Sequence, residues 1–400
     1  MTESRTARRP ALMLTLVTVG FAVNFWAWAL LSPLAPLLKD ALRLDAFQQS
    51  LVVAVPVVVG SLGRIPVGAL TDRYGGRVML PLVSAVTMLP VLYLGLAGHS
   101  SLTALLVGGF VLGMGGTSFA VGVPFVSAWF PPRRRGLAIG IFGAGMGGTA
   151  ISALTTVNLT TAWGLPAPFV VTAVVLAVYA VVSALWLRDA PGRAAPSESL
   201  GRRLTAAMRL PVTWQASALY AVLFGGYVAF SVYLPAYLKT AYGLAQVDAS
   251  NRMAGFVVLA VLMRPAGGWL SDRYGPIRVL SWVLGVVGVA AAVQAVTPPL
   301  MPWGTAAFLA MAGALGAGSG AVFALVALLA PPDRVGSVTG IVGAAGGLGG
   351  FVPPLLMGAL YSALSSYLLG LVALALVAVS ALLFTVTGVR HAAQTRTEVA

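Results

Sequence analysis

Two arginines, Arg64 and Arg264, interrupt runs of apolar residues, and each lies eight residues before an Asp-Arg-Tyr-Gly sequence. A guanidinium group is planar, keeps its charge in proteins and presents forked donors that fit a planar oxyanion. All ten acidic residues fall in predicted loops, termini or helix ends, so none is placed to pair with either arginine. The two arginines therefore predict a binding site for a small anion. A structural role through hydrogen bonds to carbonyl groups is the alternative.

Membrane spans are the elements that must position these arginines. Of the 400 residues, 59% are apolar and 8% are charged, whereas a soluble domain carries about a quarter charged residues. Apolar stretches of the ~20 residues needed to cross a bilayer follow one another along the chain. The chain is therefore predicted to be an all-α integral membrane protein. Its twelve predicted spans are 12–37, 47–70, 78–97, 102–129, 136–158, 167–187, 213–237, 250–270, 278–297, 304–329, 336–360 and 366–388.

The depth of the two arginines follows from helix geometry. Eight residues at ~1.5 Å per residue place each roughly 12 Å inside the membrane from its Asp-Arg-Tyr-Gly sequence, close to the bilayer centre. A central arginine costs at least ~2.5–3.5 kcal/mol on insertion scales. Such a residue is expected to have a function.

The distribution of basic residues predicts the orientation. Eighteen of the 24 lysines and arginines fall in the loops and termini of one side, four fall on the other side, and Arg64 and Arg264 are the remaining two. By the positive-inside rule, both termini are predicted to be cytoplasmic. The rule also explains the net charge of +14 without a nucleic-acid partner.

The two halves of the chain repeat with an offset of 200 residues. Arg64 corresponds to Arg264, and "GLAIGIFGAGMGG" at 136–148 corresponds to "GSVTGIVGAAGGLGG" at 336–350. Two repeats of six spans are typical of secondary transporters that bind their substrate between two lobes. We predict an N-terminal lobe at 1–187, a cytoplasmic linker at 188–212, a C-terminal lobe at 213–388 and a cytoplasmic tail at 389–400.

The sequence contains few of the residue types that enzymes and metal sites use. There is no cysteine, and the only two histidines, His99 and His391, lie outside the predicted spans. We therefore expect no metal, no cofactor and no enzymatic activity. A channel is less favoured than a carrier, because paired central arginines on repeated lobes indicate a binding site rather than a continuous polar pore.

Several motifs resemble those of one transporter family. The loops "GALTDRYGGRVML" and "GGWLSDRYGPIRVL" are similar to the loop between the second and third helices of the major facilitator superfamily. The Arg-Ile-Pro of "GRIPVGALTDRYGGR" and the two glycine-rich spans resemble its nitrate/nitrite porter branch. The resemblance runs from about Leu12 to Leu383. It implies the major facilitator fold, with twelve transmembrane helices in two lobes.

The resemblance also implies roles for individual residues. Arg64 and Arg264 match the arginines that hold the anion between the lobes in this family. Phe119, Tyr220 and Phe224 look like the aromatic residues of the fourth and seventh helices that sandwich a planar anion. Where the family commonly has Gly-Ala-Gly-Asn, this chain has Met146 in place of the asparagine. The preference for nitrate or nitrite therefore stays open.

Two further groups of residues are candidates for the transport movement. Glycines within the spans allow helix backbones to approach closely, and tight packing without a gating role is the alternative. These glycines are Gly143, Gly145, Gly147, Gly343, Gly346 and Gly347. The second group could latch the cytoplasmic ends of the lobes, or could serve topology through its charge alone. It consists of Asp72, Arg73, Asp272 and Arg273.

The coupling of transport is inferred from the residues that the spans lack. Proton symporters generally use Asp, Glu or His inside the membrane, and none lies within the predicted spans. We therefore favour nitrate/nitrite exchange by a monomer in the cell membrane, with the lipid bilayer as its surroundings. Proton-coupled nitrate uptake and the transport of another small anion remain alternatives.

Overall fold

Twelve helices in the described part of the chain are long and apolar enough to cross a membrane, which confirms the predicted number. The computed structural model describes residues 2–191, 200–331 and 335–389. These residues form helices and short connections. The membrane helices are Arg9–Leu42 (α1), Ala46–Gly68 (α2), Gly76–Gly98 (α3), Leu102–Trp129 (α4), Ala138–Trp163 (α5), Ala167–Trp186 (α6), Pro211–Tyr242 (α7), Gln246–Tyr274 (α8), Pro276–Ala295 (α9), Leu300–Leu329 (α10), Ser337–Leu364 (α11) and Leu368–Val389 (α12).

Several membrane helices are built from shorter segments that follow one another. In α4 and α5 the joining segment is a 3-10 turn, whose tighter winding redirects the carbonyl groups around it. These segments, some of which continue beyond the apolar spans given above, are Thr2–Trp28 and Leu31–Leu42 for α1, Ala46–Leu62 and Arg64–Tyr74 for α2, Leu102–Leu112, Gly113–Thr117 and Ser118–Trp129 for α4, Pro132–Gly143, Ala144–Gly147 and Gly148–Trp163 for α5, and Val335–Gly349 and Val352–Leu364 for α11.

Several helices extend beyond the ends predicted from hydropathy, among them the first and the seventh. The predicted first and seventh spans stop at 37 and 237, because a lysine follows each of them. The helices instead continue for more than a turn and end where the next residue adopts a left-handed conformation, Arg43 with φ 53° and Gly243 with φ 66°. A single lysine near the membrane surface thus does not terminate a helix.

The Asp-Arg-Tyr-Gly sequences form tight turns between helices. Gly75 and Gly275 separate α2 from α3 and α8 from α9, with φ values of 87° and 85°. Residues with a Cβ rarely adopt such values, so glycine is required at both turns. The repeated motif therefore marks two equivalent helix connections.

The two halves meet along a shared set of helices. Helices α1, α2 and α5 of the first half contact α7, α8 and α11 of the second half. The main pairs are α2 with α11 and α5 with α8, which are equivalent under the 200-residue repeat. This interface contains both arginines.

One end of the interface is closed by direct contacts between the halves. We call the side with the chain termini the terminal face and the other side the opposite face. On the opposite face, polar groups of the two halves bond to each other, and we call these contacts the opposite-face seal. They are Lys239 Nζ to Asp40 Oδ2 at 2.6 Å, Ser32 Oγ to the Val232 carbonyl at 2.5 Å, Gln246 Nε2 to the Pro33 carbonyl at 2.6 Å and the Phe47 amide to Ser362 Oγ at 3.2 Å.

The predicted linker and tail are described only in part. Residues 192–199 of the linker and 390–400 of the tail lie outside the described residues. The described part of the linker forms a short helix, Leu200–Met208, which we call the linker helix. The predicted lobe boundaries stay predictions.

Candidate functional site

Arg64 lies at the junction between the two segments of α2. It is the first residue of Arg64–Tyr74, so about 15 Å of helix separates it from the end of that segment. Its side chain is only 7% exposed. Arg64 Nη1 donates to the carbonyl of Gly343 at 2.7 Å, and Nε donates to the carbonyl of Gly116 at 3.3 Å. The 3-10 turn of α4 supplies the second of these acceptors.

Arg264 occupies the equivalent position in α8, which is continuous. Its partly buried guanidinium donates from Nη2 to the Tyr220 hydroxyl at 2.8 Å and from Nη1 to Met146 Sδ at 3.0 Å. A thioether sulfur is a weak acceptor. Arg264 is thus held less firmly than Arg64, whose acceptors are backbone carbonyls.

Each arginine reaches across the interface to the opposite half. Arg64 of the first half bonds to Gly343 on α11, and Arg264 of the second half bonds to Met146 on α5. The glycine-rich helices α5 and α11 are themselves equivalent under the repeat. Among the side chains that the structure describes, no carboxylate forms an ion pair with either arginine. Both positive charges therefore keep the capacity to bind an anion.

Aromatic rings surround the two guanidinium groups. The Cζ atom of Arg64 lies 5.3 Å from the centre of the Phe119 ring. Phe224 lies near both arginines, 5.9 Å from Arg64 Cζ and 5.6 Å from Arg264 Cζ. Tyr220 stacks on Phe224, with ring centres 4.8 Å apart and planes 5° apart. The three predicted aromatic residues are thus brought together at the arginines.

Sequence reasoning missed one aromatic residue of this cluster. Phe323 on α10 lies 5.8 Å from Arg264 Cζ and packs edge-on against Tyr220 at 4.9 Å. The repeat did not indicate it, because the equivalent residue in the first half is Val123. One feature of the sequence could have identified it: Phe323 is the only aromatic residue between Leu309 and Leu329.

A polar contact between the halves adjoins the arginines and was also not predicted. The hydroxyl of Tyr227 lies 3.3 Å from Thr149 Oγ1, one turn beyond Met146. Both side chains are buried. A hydroxyl group can donate to a bound anion.

The arrangement supports binding rather than bond-breaking chemistry. Two guanidinium groups and the Tyr220 hydroxyl can donate to one small anion, while ring faces limit its size. Within the described residues, no group of His, Cys, Asp or Glu could hold a metal ion.

Comparison with known proteins places the chain in a family. Residues 17–354 and 248–399 match the Major Facilitator Superfamily. A probable nitrate/nitrite transporter of Mycobacterium tuberculosis is 48% identical over 96% of this chain and 98% of its own length. The chain belongs to the nitrate/nitrite porter family of the major facilitator superfamily. A nitrite extrusion protein of Bacillus subtilis is 34% identical over 94% of each chain.

A solved structure agrees with the fold of this porter. A bacterial homologue of the human lysosomal transporter Spinster, in an inward-facing and unoccupied conformation, superposes with a TM-score of 0.77. It covers 97% of both chains at 19% identity. The predicted major facilitator fold is confirmed, and the fold and relatives of the porter are those of transporters rather than enzymes.

The candidate glycines of the porter fall into two groups. A Cβ atom added at Gly346 would overlap the ring of Tyr220, and one at Gly347 would overlap Ser61 Oγ and lie 3.1 Å from Arg64 Nη1. Gly145 is similarly enclosed, by Phe21 and the Thr18 carbonyl. The requirement for glycine is therefore strict on α11 beside the site.

The other candidate glycines have more space. A Cβ atom at Gly343 would make an ordinary contact of 3.5 Å with Phe119. At Gly143 and Gly147 it would meet nothing within 4 Å. In this conformation the last two glycines do not mediate a close helix contact.

The predicted latch of the porter is only partly described. The Asp72 side chain lies outside the described residues. Arg73 and Arg273 lie over the rings of Tyr74 and Tyr274, with Cζ atoms 5.4 Å and 5.5 Å from the ring centres. A latch between the lobes stays a prediction.

Proposed function

We propose that this porter carries nitrate and nitrite across the cell membrane, with one anion held between Arg64 and Arg264. The observation that carries the proposal is the pair of guanidinium groups at the interface, one buried and one partly buried, which bond to carbonyl, hydroxyl and thioether acceptors rather than to carboxylates. Planar forked donors and flat ring faces suit a planar oxyanion. The functions named for the two relatives, nitrate/nitrite transport and nitrite extrusion, support the same substrates.

Exchange of the two anions is the coupling that we propose. A proton symporter generally needs a titratable acid or histidine at membrane depth. The acids in the described part of the chain occur in connections or in the first or last turns of helices, and His99 lies beyond the end of α3. Exchange needs no such group, because one anion replaces the other at the same arginines. Nitrate entering against nitrite leaving is consistent with both relatives.

The movement that carries the anion across the membrane in this proposal is alternating access. In transporters built from repeats, the lobes rock around a site near the membrane midplane. In the structure, the opposite-face seal closes one end of the interface. With the termini cytoplasmic, as the basic residues predict, this closed end faces outward. A monomer contains the complete site, so we propose that it is the functional unit.

Counterflow in liposomes tests the proposal. Purified porter is placed in liposomes loaded with nitrite, with nitrate or with neither, and the entry of external nitrate is followed with and without a pH gradient. We expect internal nitrite to accelerate nitrate entry several-fold and the pH gradient to have little effect. Entry driven by the pH gradient alone would indicate proton-coupled uptake instead. No entry under any condition would refute nitrate transport.

Met146 sets the strength of anion binding in this proposal. Replacing it by asparagine, M146N, puts amide donors and a stronger acceptor beside Arg264. One additional hydrogen bond contributes about 0.5–1.5 kcal/mol, so the KM for nitrate is expected to fall about 3- to 10-fold. The measurement is the concentration dependence of initial uptake rates. M146L, which keeps the volume and removes the sulfur, should stay near the wild-type KM. An unchanged KM in M146N would argue against a direct role for this position.

Gly346 tests whether the close approach at the site matters. The methyl group of G346A would overlap the Tyr220 ring, and overpacking of this kind costs about 1–3 kcal/mol. Because Tyr220 holds Arg264, we expect initial transport rates to fall about tenfold or more. G143A is the matched control, since its methyl group meets nothing within 4 Å, and it should transport normally. Equal rates in the two variants would contradict the model of a tightly packed site.

A further inference from the structure

The linker helix, Leu200–Met208, lies on the terminal face and is fixed to the helix bundle. Its last two carbonyl groups are bonded to the first turn of α7: Thr213 Oγ1 donates to Ala207 at 2.6 Å and Trp214 Nε1 donates to Met208 at 2.7 Å. The side chain of Ala207 is fully buried. The helix also packs against the first segment of α11. The linker helix is therefore held in a fixed position, with one face packed against the rest of the protein.

The other face of the linker helix carries positive charge. Arg202 and Arg209 are exposed, together with Thr205 and Met208. Arg202 lies near the start of the helix, and Arg209 follows directly after its last residue, Met208. Neither arginine has an ion-pair partner among the described residues. No acidic residue occurs between positions 200 and 247.

Two exposed apolar side chains lie close in sequence to these arginines. Met208 is 42% exposed and Trp214, in the first turn of α7, is 59% exposed. Tryptophan favours the boundary between headgroups and acyl chains, because its ring is apolar and its N–H is polar. Basic residues next to a membrane helix attract anionic lipid headgroups.

We propose that the exposed face of the linker helix is a binding site for the headgroup of an anionic phospholipid. Arg202 and Arg209 hold the phosphate groups, and Trp214 and Met208 contact the glycerol and the first methylene groups. The topology rule explains why basic residues are on this face of the membrane, but it does not require two exposed arginines at the two ends of a helix that is fixed to the bundle. Nor does it require them beside an exposed tryptophan.

The site has a direct connection to the transport machinery. The linker helix packs against the segment Val335–Gly349, which carries Gly343, the acceptor of Arg64. A lipid that stabilises the linker helix also stabilises the end of α11 against which it rests. We therefore expect the lipid composition to change the transport rate, whichever anion is carried.

Lipid binding to the whole protein tests the proposal. The porter is purified in neutral detergent and titrated with phosphatidylglycerol or phosphatidylcholine, and bound lipids are counted by native mass spectrometry. Basic residues near a membrane surface contribute about 1 kcal/mol each, so R202Q/R209Q should bind phosphatidylglycerol roughly 30-fold more weakly. R202K/R209K, which keeps the charges, should bind almost as the wild type does. R252Q removes an arginine that pairs with Asp248 on the opposite face, and it should bind normally.

The result that would overturn the proposal is equally specific. Unchanged phosphatidylglycerol binding in R202Q/R209Q, or equal binding of phosphatidylcholine by the wild type, would refute a headgroup site at the linker helix. Displacement of the lipid by excess inorganic phosphate would refute the lipid assignment, because phosphate alone cannot contact Trp214 and Met208. Melting temperatures of all variants show whether they are folded. These measurements do not depend on nitrate transport, so their outcome is separate from that of the counterflow experiment.

Discussion

Replacement of Arg64 or Arg264 by lysine is expected to reduce nitrate transport about 100-fold. Lysine keeps the positive charge but loses the planar fork, so it cannot donate to two acceptors and to an anion in the same geometry. Each charge-assisted hydrogen bond contributes about 1.5–3 kcal/mol, which corresponds to the expected loss. The measurement is kcat/KM for nitrate in liposomes that contain equal amounts of protein.

The two lysine variants should differ in stability. Arg64 is buried and donates to two backbone carbonyls, so R64K leaves an acceptor unsatisfied and should lower the melting temperature. Arg264 is partly exposed and donates to side chains that can rearrange, so R264K should melt close to the wild type. R252K changes an arginine outside the site and should transport normally. Full transport by R64K or R264K would refute the assignment of the site.

Locking the opposite-face seal is expected to abolish transport. Asp40 and Lys239 belong to different halves and form an ion pair at 2.6 Å, and alternating access requires this contact to separate. The chain contains no cysteine, so D40C/K239C introduces the only two thiols. A cleavable bifunctional thiol reagent about as long as the ion pair should reduce transport to background. Reduction of the reagent should restore it.

A second cysteine pair controls for the chemistry. D248C/R252C places both thiols on α8, where the native residues form an ion pair within one helix. Linking them does not join the two halves, so transport should continue. If the linked D40C/K239C protein still transports, the seal does not have to open during the cycle.

The parts of the structure that could be predicted are those carried by local sequence. Hydropathy predicts twelve spans because each must be apolar over the membrane thickness, and the Asp-Arg-Tyr-Gly turns require Gly75 and Gly275 at positive φ. Arg64 and Arg264 could be singled out because charge inside a span is costly. Phe119, Tyr220 and Phe224 were available only through the family resemblance, since an aromatic residue in a span looks like any other core residue.

The remaining features depend on contacts between distant parts of the chain. No spacing in the sequence indicates that Arg64 bonds to Gly343 or that Arg264 bonds to Met146, because helix periodicity gives the face of a residue but not its neighbour. The residues that pair in the opposite-face seal are also far apart in the sequence. The position equivalent to Lys239 in the first half of the repeat holds no acid, so the repeat does not indicate its partner. Phe323 was missed because the repeat has a valine there. The helix breaks in α4 and α5 lie in glycine-rich stretches, where packing decides between close helix contact and a 3-10 turn.

The crossed bonds of the two arginines bear on how the protein is assembled. Gly343, the acceptor of Arg64, follows it by 279 residues in the chain, so during synthesis Arg64 enters the membrane long before this partner exists. Arg264, in contrast, can reach Met146 as soon as its own helix is inserted, because that residue is already in place. The first half must therefore hold a guanidinium with an unfilled hydrogen bond until α11 arrives. A chain truncated before α11 would therefore keep Arg64 Nη1 without this acceptor.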